Sequence, residues 1–250
     1  MAGEEVGKLV VEFEVEREVE REYNYAEKFL KYKGDTIPYK AIVKDGEFLA
    51  IVGRNYKLIP NEQIEKIVKE YCEKKGYKYE DIKSRTRYHG FVVKNDVGIV
   101  VHNSVDATIA LRIDVIVDVG EESYAVFRVR DVYRRHTKHS GSLVAHLNAI
   151  MDAVLSKAEE YRDWLNELDK YRARHYLQAL KEGLEILPKK YYIDVLRRAE
   201  YGFDGDGLTL RDVYSDISKR IWASNANMLT KLTLYEKLNE LMFVIVASGV

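Results

Sequence analysis

The period of the apolar residues changes once along the chain, and that change leaves few folds open. Ile109, Leu111, Ile113, Val115, Val117 and Val119 occupy every second position, so they share one face of a strand, with Arg112, Asp114 and Asp118 on the other. After Ser140, Leu147, Met151, Val154, Ala158, Tyr161, Leu165 and Leu168 recur at alternating intervals of four and three, the spacing of a coiled-coil-like seam along one side of a helix. A sheet with one buried face followed by helices is an α+β chain. We therefore expect an antiparallel β-rich domain with one helix over residues 1–139. A helical region over 140–250, beginning with a long amphipathic helix, should follow.

Local signals fill in this outline. Asp45-Gly46 stands between the apolar runs Tyr39–Val43 and Phe48–Val52, the composition of a tight hairpin. Residues Leu9 to Glu16 alternate apolar and acidic side chains and predict a strand with an anionic wet face, ending near residue 16. Pro60-Asn61-Glu62 ahead of Ile64, Ile67, Val68 and Tyr71 predicts a helix capped by Asn61 and stopping near Gly76. From Ile82 to Val132 the strand pattern returns, interrupted at Gly90, Asn95-Asp96 and Gly120-Glu121-Glu122. The seam helix is expected to run to about Gly183, with Pro188 forcing a break and at least two more helices after Lys189 and Thr209. Thr209 with Asp212 three residues on reads as a capping box.

Charge and composition remove several functional classes. Forty Lys and Arg against 41 Asp and Glu leave a net charge of −1, so a nucleic-acid site has to be a local patch. A single cysteine, Cys72, excludes an internal disulfide, a Cys-based zinc ribbon and a CxxC redox pair, and points to a reducing compartment. The apolar run Leu241–Ala247 is far short of a bilayer span and the Met1–Glu5 start is acidic, so a cytoplasmic protein with no membrane partner is expected. Glu and Lys dominate the charged residues and only two glutamines occur, a composition that leans towards thermophile proteins. No Walker lysine motif, GxGxxG or GxSxG is present; no catalytic residue and no cofactor is assigned.

Two windows break the charge balance. Ile82 to Lys94 holds Lys83, Arg85, Arg87 and Lys94 with no acid, and Ser123 to Ser142 holds Arg128, Arg130, Arg134, Arg135 and Lys138 against Asp131 alone, each a formal +4. Side chains two apart on a strand share a face, so Lys83, Arg85 and Arg87 would form one basic stripe and Arg128 and Arg130 another. If Val119 pairs with Ser123 across the Gly120-Glu121-Glu122 turn, Asp114 faces Arg128, while Arg112 faces Arg130 as a like-charge pair that an anion would relieve. Arg134, Arg135 and Lys138 lead into the long helix, whose N-terminal N–H groups add hydrogen-bond donors for an anion. The bland reading of both windows is a solvated sheet face whose arginines pair with nearby carboxylates.

Other constellations are weaker. His136, His139 and His146 lack the spacing of a helical zinc motif. Asp204-Gly205-Asp206-Gly207 starts like a calcium loop, but Leu208 and Thr209 stand where its next acid and glycine belong, which suits a turn. No metal site is assigned.

Several short segments taken together resemble one family. Tyr39–Val43, Leu49–Gly53 with Tyr56, and Asn61-Glu62 are similar to the opening of the phage- and plasmid-borne family known as domain of unknown function number 932. Val101-His102-Asn103-Ser104 resembles its Cys-x-Asn strand end with Val101 in the cysteine's place, and His136-Thr137, Trp222 and Asn225-Ala226 follow in the order that family shows. The resemblance implies a mobile genetic element, virus or plasmid, and with it DNA replication, recombination or protection. A basic sheet followed by helices is also similar in architecture to single-strand annealing proteins of the Erf-like and Red-beta-like kind.

The function expected from these observations is a non-enzymatic, homo-oligomeric DNA-binding protein that favours single strands and anneals them in replication or recombination. Its backbone contacts would be Lys83, Arg85, Arg87, Arg128, Arg130, Arg134, Arg135 and Lys138, with Tyr88 and Tyr133 placed to stack bases. Oligomers would form through the Leu147–Leu168 seam and the apolar end Leu241–Val246. The alternatives are a metal-dependent nuclease using Asp114 and Asp118, and a non-catalytic structural or interaction module.

Overall fold

Asp45 and Gly46 both take left-handed backbone angles, φ 51° and 81°, the geometry that matches a two-residue turn to the right-handed twist of its strands. They join β3 (Asp35–Lys44) to β4 (Glu47–Gly53), as the Asp-Gly signal requires, with Lys44 opposite Glu47. In the computed structural model, which describes residues 12–129, 143–202 and 207–248, this hairpin is part of a four-stranded antiparallel sheet ordered β1-β2-β3-β4. β1 is Glu14–Glu20 and β2 is Tyr25–Tyr32. The first strand thus extends past residue 16, because Arg17, Glu18 and Val19 pair with Phe29, Lys28 and Glu27 of β2. Residues 9–11 of the expected strand lie outside the described residues.

The second sheet is ordered β5-β6-β7-β8-β9, with β5 Lys78–Lys83, β6 Arg87–Lys94, β7 Val97–Ser104, β8 Arg112–Gly120 and β9 Ser123–Phe127. β6 runs through Gly90 without the expected interruption, whereas Asn95 (φ 59°) and the Gly120-Glu121-Glu122 run, all at positive φ, do turn the chain. Among the described residues the α-helices are α1 (Asn61–Lys75), α2 (Leu143–Glu167), α3 (Leu177–Gly183), α4 (Ile193–Tyr201), α5 (Leu210–Ala223) and α6 (Met228–Ser248). Antiparallel sheets in the first half and helices in the second make the α+β architecture that the change of period predicts. Among the described residues no helix is long and apolar enough to cross a membrane. The expected boundary at residue 139 falls in the 130–142 segment, outside the described residues.

The chain divides into two compact units. The first contains Met1–Lys66, Lys83–Tyr88 and Asn103–Ala110; the second contains Ile67–Ile82, His89–His102 and Leu111–Val250. Tyr25, Ile42, Val52 and Val105 form a core of the first unit, with Leu49, Ala50, Tyr56 and Leu58 packed against it. Within it Glu27 is 1% exposed, and Arg21 and Lys40 both donate to its carboxylate. Asn61 opens α1 but does not cap it: Ile64 N–H donates to the Pro60 carbonyl, so Pro60 holds the cap position. The Asn61 side chain instead accepts from Asn103 Nδ2 at 2.8 Å, which also donates to the Ile59 carbonyl at 2.9 Å.

In the second unit the seam faces inward. Leu147, Met151, Val154, Ala158 and Leu165 of α2 are buried, and α2 packs on β8 while α5 packs on β9. At the other end Met242 and Ile245 are buried, leaving only Phe243 and Val244 well exposed. The surfaces expected to form an oligomer are therefore largely consumed inside the chain. The seam helix also ends sixteen residues earlier than Gly183, at Glu167. A 3-10 turn at Leu168–Lys170 follows, then extended Tyr171 and a bridge from Arg172 to Thr209, in which Ala173 N–H donates to the Leu208 carbonyl and Leu210 N–H to that of Tyr171. No Gly or Pro announces that break; a long-range backbone pairing imposes it.

Thr209 then starts α5 with the expected capping box, its hydroxyl accepting from Asp212 N–H at 3.1 Å while Asp212 accepts from Thr209 N–H at 2.8 Å. Thr209→Ala should cost about 1 kcal/mol, read as a lower urea midpoint with an unchanged slope. Asp204 and Asp206 lie outside the described residues.

Candidate nucleic-acid interface

The first basic window is neutralised by carboxylates from distant segments. Lys83 Nζ lies 2.7 Å from Glu65, and Arg85 donates to Glu47 at 3.0 Å and to the Phe48 carbonyl at 2.8 Å. Arg87 Nε donates to Thr108 at 3.1 Å and stands 3.8 Å from Asp106. Lys94, in the second unit, pairs with Glu159 at 3.6 Å. Arg85 is also not on a strand, since β5 ends at Lys83 and β6 begins at Arg87. Lys83, Arg85 and Arg87 do line one cavity of about 430 Å³ in the first unit, but Asp45, Glu47, Glu62 and Glu65 line it with them. The expected cationic stripe is a mixed-charge recess. Tyr88 is fully buried, so its ring is not presented to a base.

The second window begins where β9 ends. The β8–β9 ladder has the expected frame, Val115 opposite Phe127 and Asp118 opposite Tyr124, with an irregularity that places Gly120 rather than Val119 against Ser123. Asp114 nevertheless finds its partner along its own strand. Its Oδ2 accepts from Arg112 Nε at 2.6 Å and is 2.5 Å from a second guanidinium nitrogen, because residues two apart share a face. Arg112 is thus held by a carboxylate of its own strand. Arg128 turns to Glu236 of α6 at 3.1 Å and stays 44% exposed. Arg130, Tyr133, Arg134, Arg135 and Lys138 lie outside the described residues.

Arg112 and Arg128 share a small cleft of about 170 Å³ in the second unit, with Phe127, Tyr161, Glu236 and Phe243 among its walls. Phe127 stacks on Tyr161 with ring centres 4.8 Å apart, and Trp164 on Phe243 at 4.2 Å. Helix α6 is fastened beside the strand by two side chains one turn apart: Tyr235 Oη donates to the Tyr124 carbonyl at 2.6 Å and Asn239 Nδ2 to that of Val126 at 2.9 Å. Tyr214 Oη donates to Asn239 Oδ1 at 2.6 Å, so the amide is used at both ends. An asparagine among apolar neighbours on a helix is the sequence signal for such a clamp. No family model matches the chain, and no curated protein and no solved structure matches it.

Behind Arg112 runs a buried polar chain that the sequence does not announce. Asp114 is fully enclosed, His102 Nε2 stands 3.2 Å from its Oδ2, and His102 Nδ1 is 2.7 Å from His89 Nδ1. Of the two facing Nδ1 atoms one must donate and the other accept, so the two rings carry complementary tautomers at this contact. Asp118, by contrast, is exposed, and its carboxylate accepts from Gly120 N–H at 2.6 Å. A metal at Asp114 would have to displace Arg112, and among the described residues no group of three His, Cys, Asp or Glu is placed to hold one. What the cleft offers is an arginine fixed in place by a buried anion, a second arginine in a surface ion pair, and aromatic walls.

Proposed function

We propose that the chain is a non-enzymatic, oligomeric DNA-binding protein that favours single strands, in the setting of a mobile genetic element. The observation that carries this reading is the aromatic cleft holding Arg112 and Arg128, at which the second basic window begins. Every cation of the first has a carboxylate within 4 Å. The second sets Arg128, Arg130, Arg134, Arg135 and Lys138 against Asp131 alone and begins at the aromatic cleft. The one ion pair described there, Arg128–Glu236, is of the exposed kind worth about 0–1 kcal/mol, so a phosphate can take the arginine at little cost. Strand backbone would follow the basic run and bases would meet the rings beside it.

Anisotropy of labelled single- and double-stranded oligonucleotides across a salt series, with and without magnesium, tests this. Log affinity should fall linearly with log salt, and Arg128→Ala with Arg130→Ala should flatten the slope by about two units. Arg134→Ala with Arg135→Ala should lower affinity about tenfold or more with little change in melting temperature, at about 1.5–3 kcal/mol for each charge-assisted hydrogen bond lost. An unchanged slope and affinity in both double variants would overturn the assignment, and magnesium-dependent cleavage would favour the nuclease alternative.

A further inference from the structure

The four-stranded sheet of the first unit carries an apolar face on its outer side. The registers place Val15 beside Leu30, Ala41 beside Ile51 and Val43 beside Phe48, so all of these share one face with Tyr32, Ile37 and Tyr39. Phe13, Val15, Tyr32, Tyr39, Phe48 and Ile51 are each between 40% and 55% exposed. Side chains of this size, half exposed, leave roughly 500–600 Å² of open apolar surface together. That is the upper end of what a typical monomer shows, and most of the roughly 800 Å² that each partner contributes to a standard interface.

We propose that this face is the surface on which a second copy of the chain docks, forming a two-fold dimer by sheet-on-sheet packing. The face carries both halves of a self-complementary contact. A depression of about 400 Å³, walled by Phe13, Tyr32, Tyr39 and Ile51 with Leu30 as a 5%-exposed floor, is the socket. Phe48 is the projecting ring, three residues from Ile51 and therefore roughly 10 Å along the strand from it. A two-fold axis between them brings each Phe48 to the partner's socket, the reciprocal arrangement an isologous interface demands. The polar margin fits the same operation. Glu18 and Lys28 sit opposite each other on this face at 3.3 Å, both partly exposed, and can exchange partners across the axis with no net charge brought in. Two such sheets pack about 10 Å apart with strands near −30°, the ordinary geometry of a β-sandwich.

This inference stands on the sheet face alone and is read without nucleic acid, so it survives or fails independently of the DNA-binding reading. Sedimentation velocity at micromolar concentration should give the unmodified chain twice its 29.1 kDa mass. Phe48→Glu should weaken the dimer about tenfold or more, as loss of a central aromatic anchor does. Ile51→Lys should do the same from the socket side, with melting curves confirming that both variants fold. Val244→Glu, on the exposed side of α6, should leave the dimer intact. A native chain that stays monomeric, or a dimer that persists in both sheet-face variants, would overturn the proposal.

Discussion

Lys40→Met should lower stability by about 3 kcal/mol, the low end of the cost of breaking a buried ion pair, because Arg21 still reaches the carboxylate that is left behind. Lys40 is almost wholly enclosed and spends its donors on Glu27 and, at 2.6 Å, on the Tyr56 carbonyl, so the substitution orphans an acceptor as well as an anion. Adding Glu27→Leu should recover much of the loss, since it is the unpaired charge, not the missing lysine, that costs most. The same triad makes a pH prediction. Burial pushes the Glu27 carboxyl up, but the hydrogen bonds from Lys40 and Arg21 outweigh it and hold the group below its ordinary value. A depressed folded pKa gives stability that is fully present above the unfolded value of about 4.3 and drains away as pH falls through the folded one. Denaturant midpoints below that pH should therefore fall less steeply in Glu27→Gln than in the native chain.

Asp114→Ala is expected to be comparably severe, at about 3 kcal/mol. It removes the carboxylate that takes two nitrogens of Arg112 and faces His102, leaving a guanidinium with nothing to hold it and a histidine pair with no anion behind it. The figure sits at the low end because Arg112 is 19% exposed and can turn partly to water. Urea titration gives the cost directly. Arg112→Met in the same background should restore stability, whereas Arg112→Met alone should destabilise; if the double variant is no better than Asp114→Ala, the ion pair is not the reason Asp114 is buried.

Local chemistry was the legible part of this fold. Asp45-Gly46 needed only its own two residues to dictate a turn, Thr209 and Asp212 sit within one helical turn of each other, and the seam from Leu147 advertises its buried side by spacing. Whatever depended on a distant partner was hidden. Asn61 has the chemistry of a cap, yet Asn103 claims its side chain, and the long helix stops where Arg172 meets Thr209. The basic window at Lys83–Lys94 looked unbalanced because its acids, Glu47, Glu65, Asp106 and Glu159, are supplied by other stretches of chain. The strand frame sets Asp114 opposite the Arg128 position, but Arg112, two residues away on the same strand and face, takes its carboxylate.

The make-up of the first unit has a consequence for synthesis. Val105, a member of its core, and Asn103, which ties down the start of α1, come long after its sheet in the chain, and 30 intervening residues, 67–82 and 89–102 with most of β5, β6 and β7 among them, belong to the other unit. A ribosome that has released the four strands and Lys66 has therefore delivered a sheet without its closing segment. The nascent chain must carry that incomplete sheet, apolar side chains included, until residue 110 has cleared the exit, at a synthesis rate of about 5–20 residues per second. Truncations that stop short of that point should be held by chaperones or aggregate, whatever the stability of the finished protein.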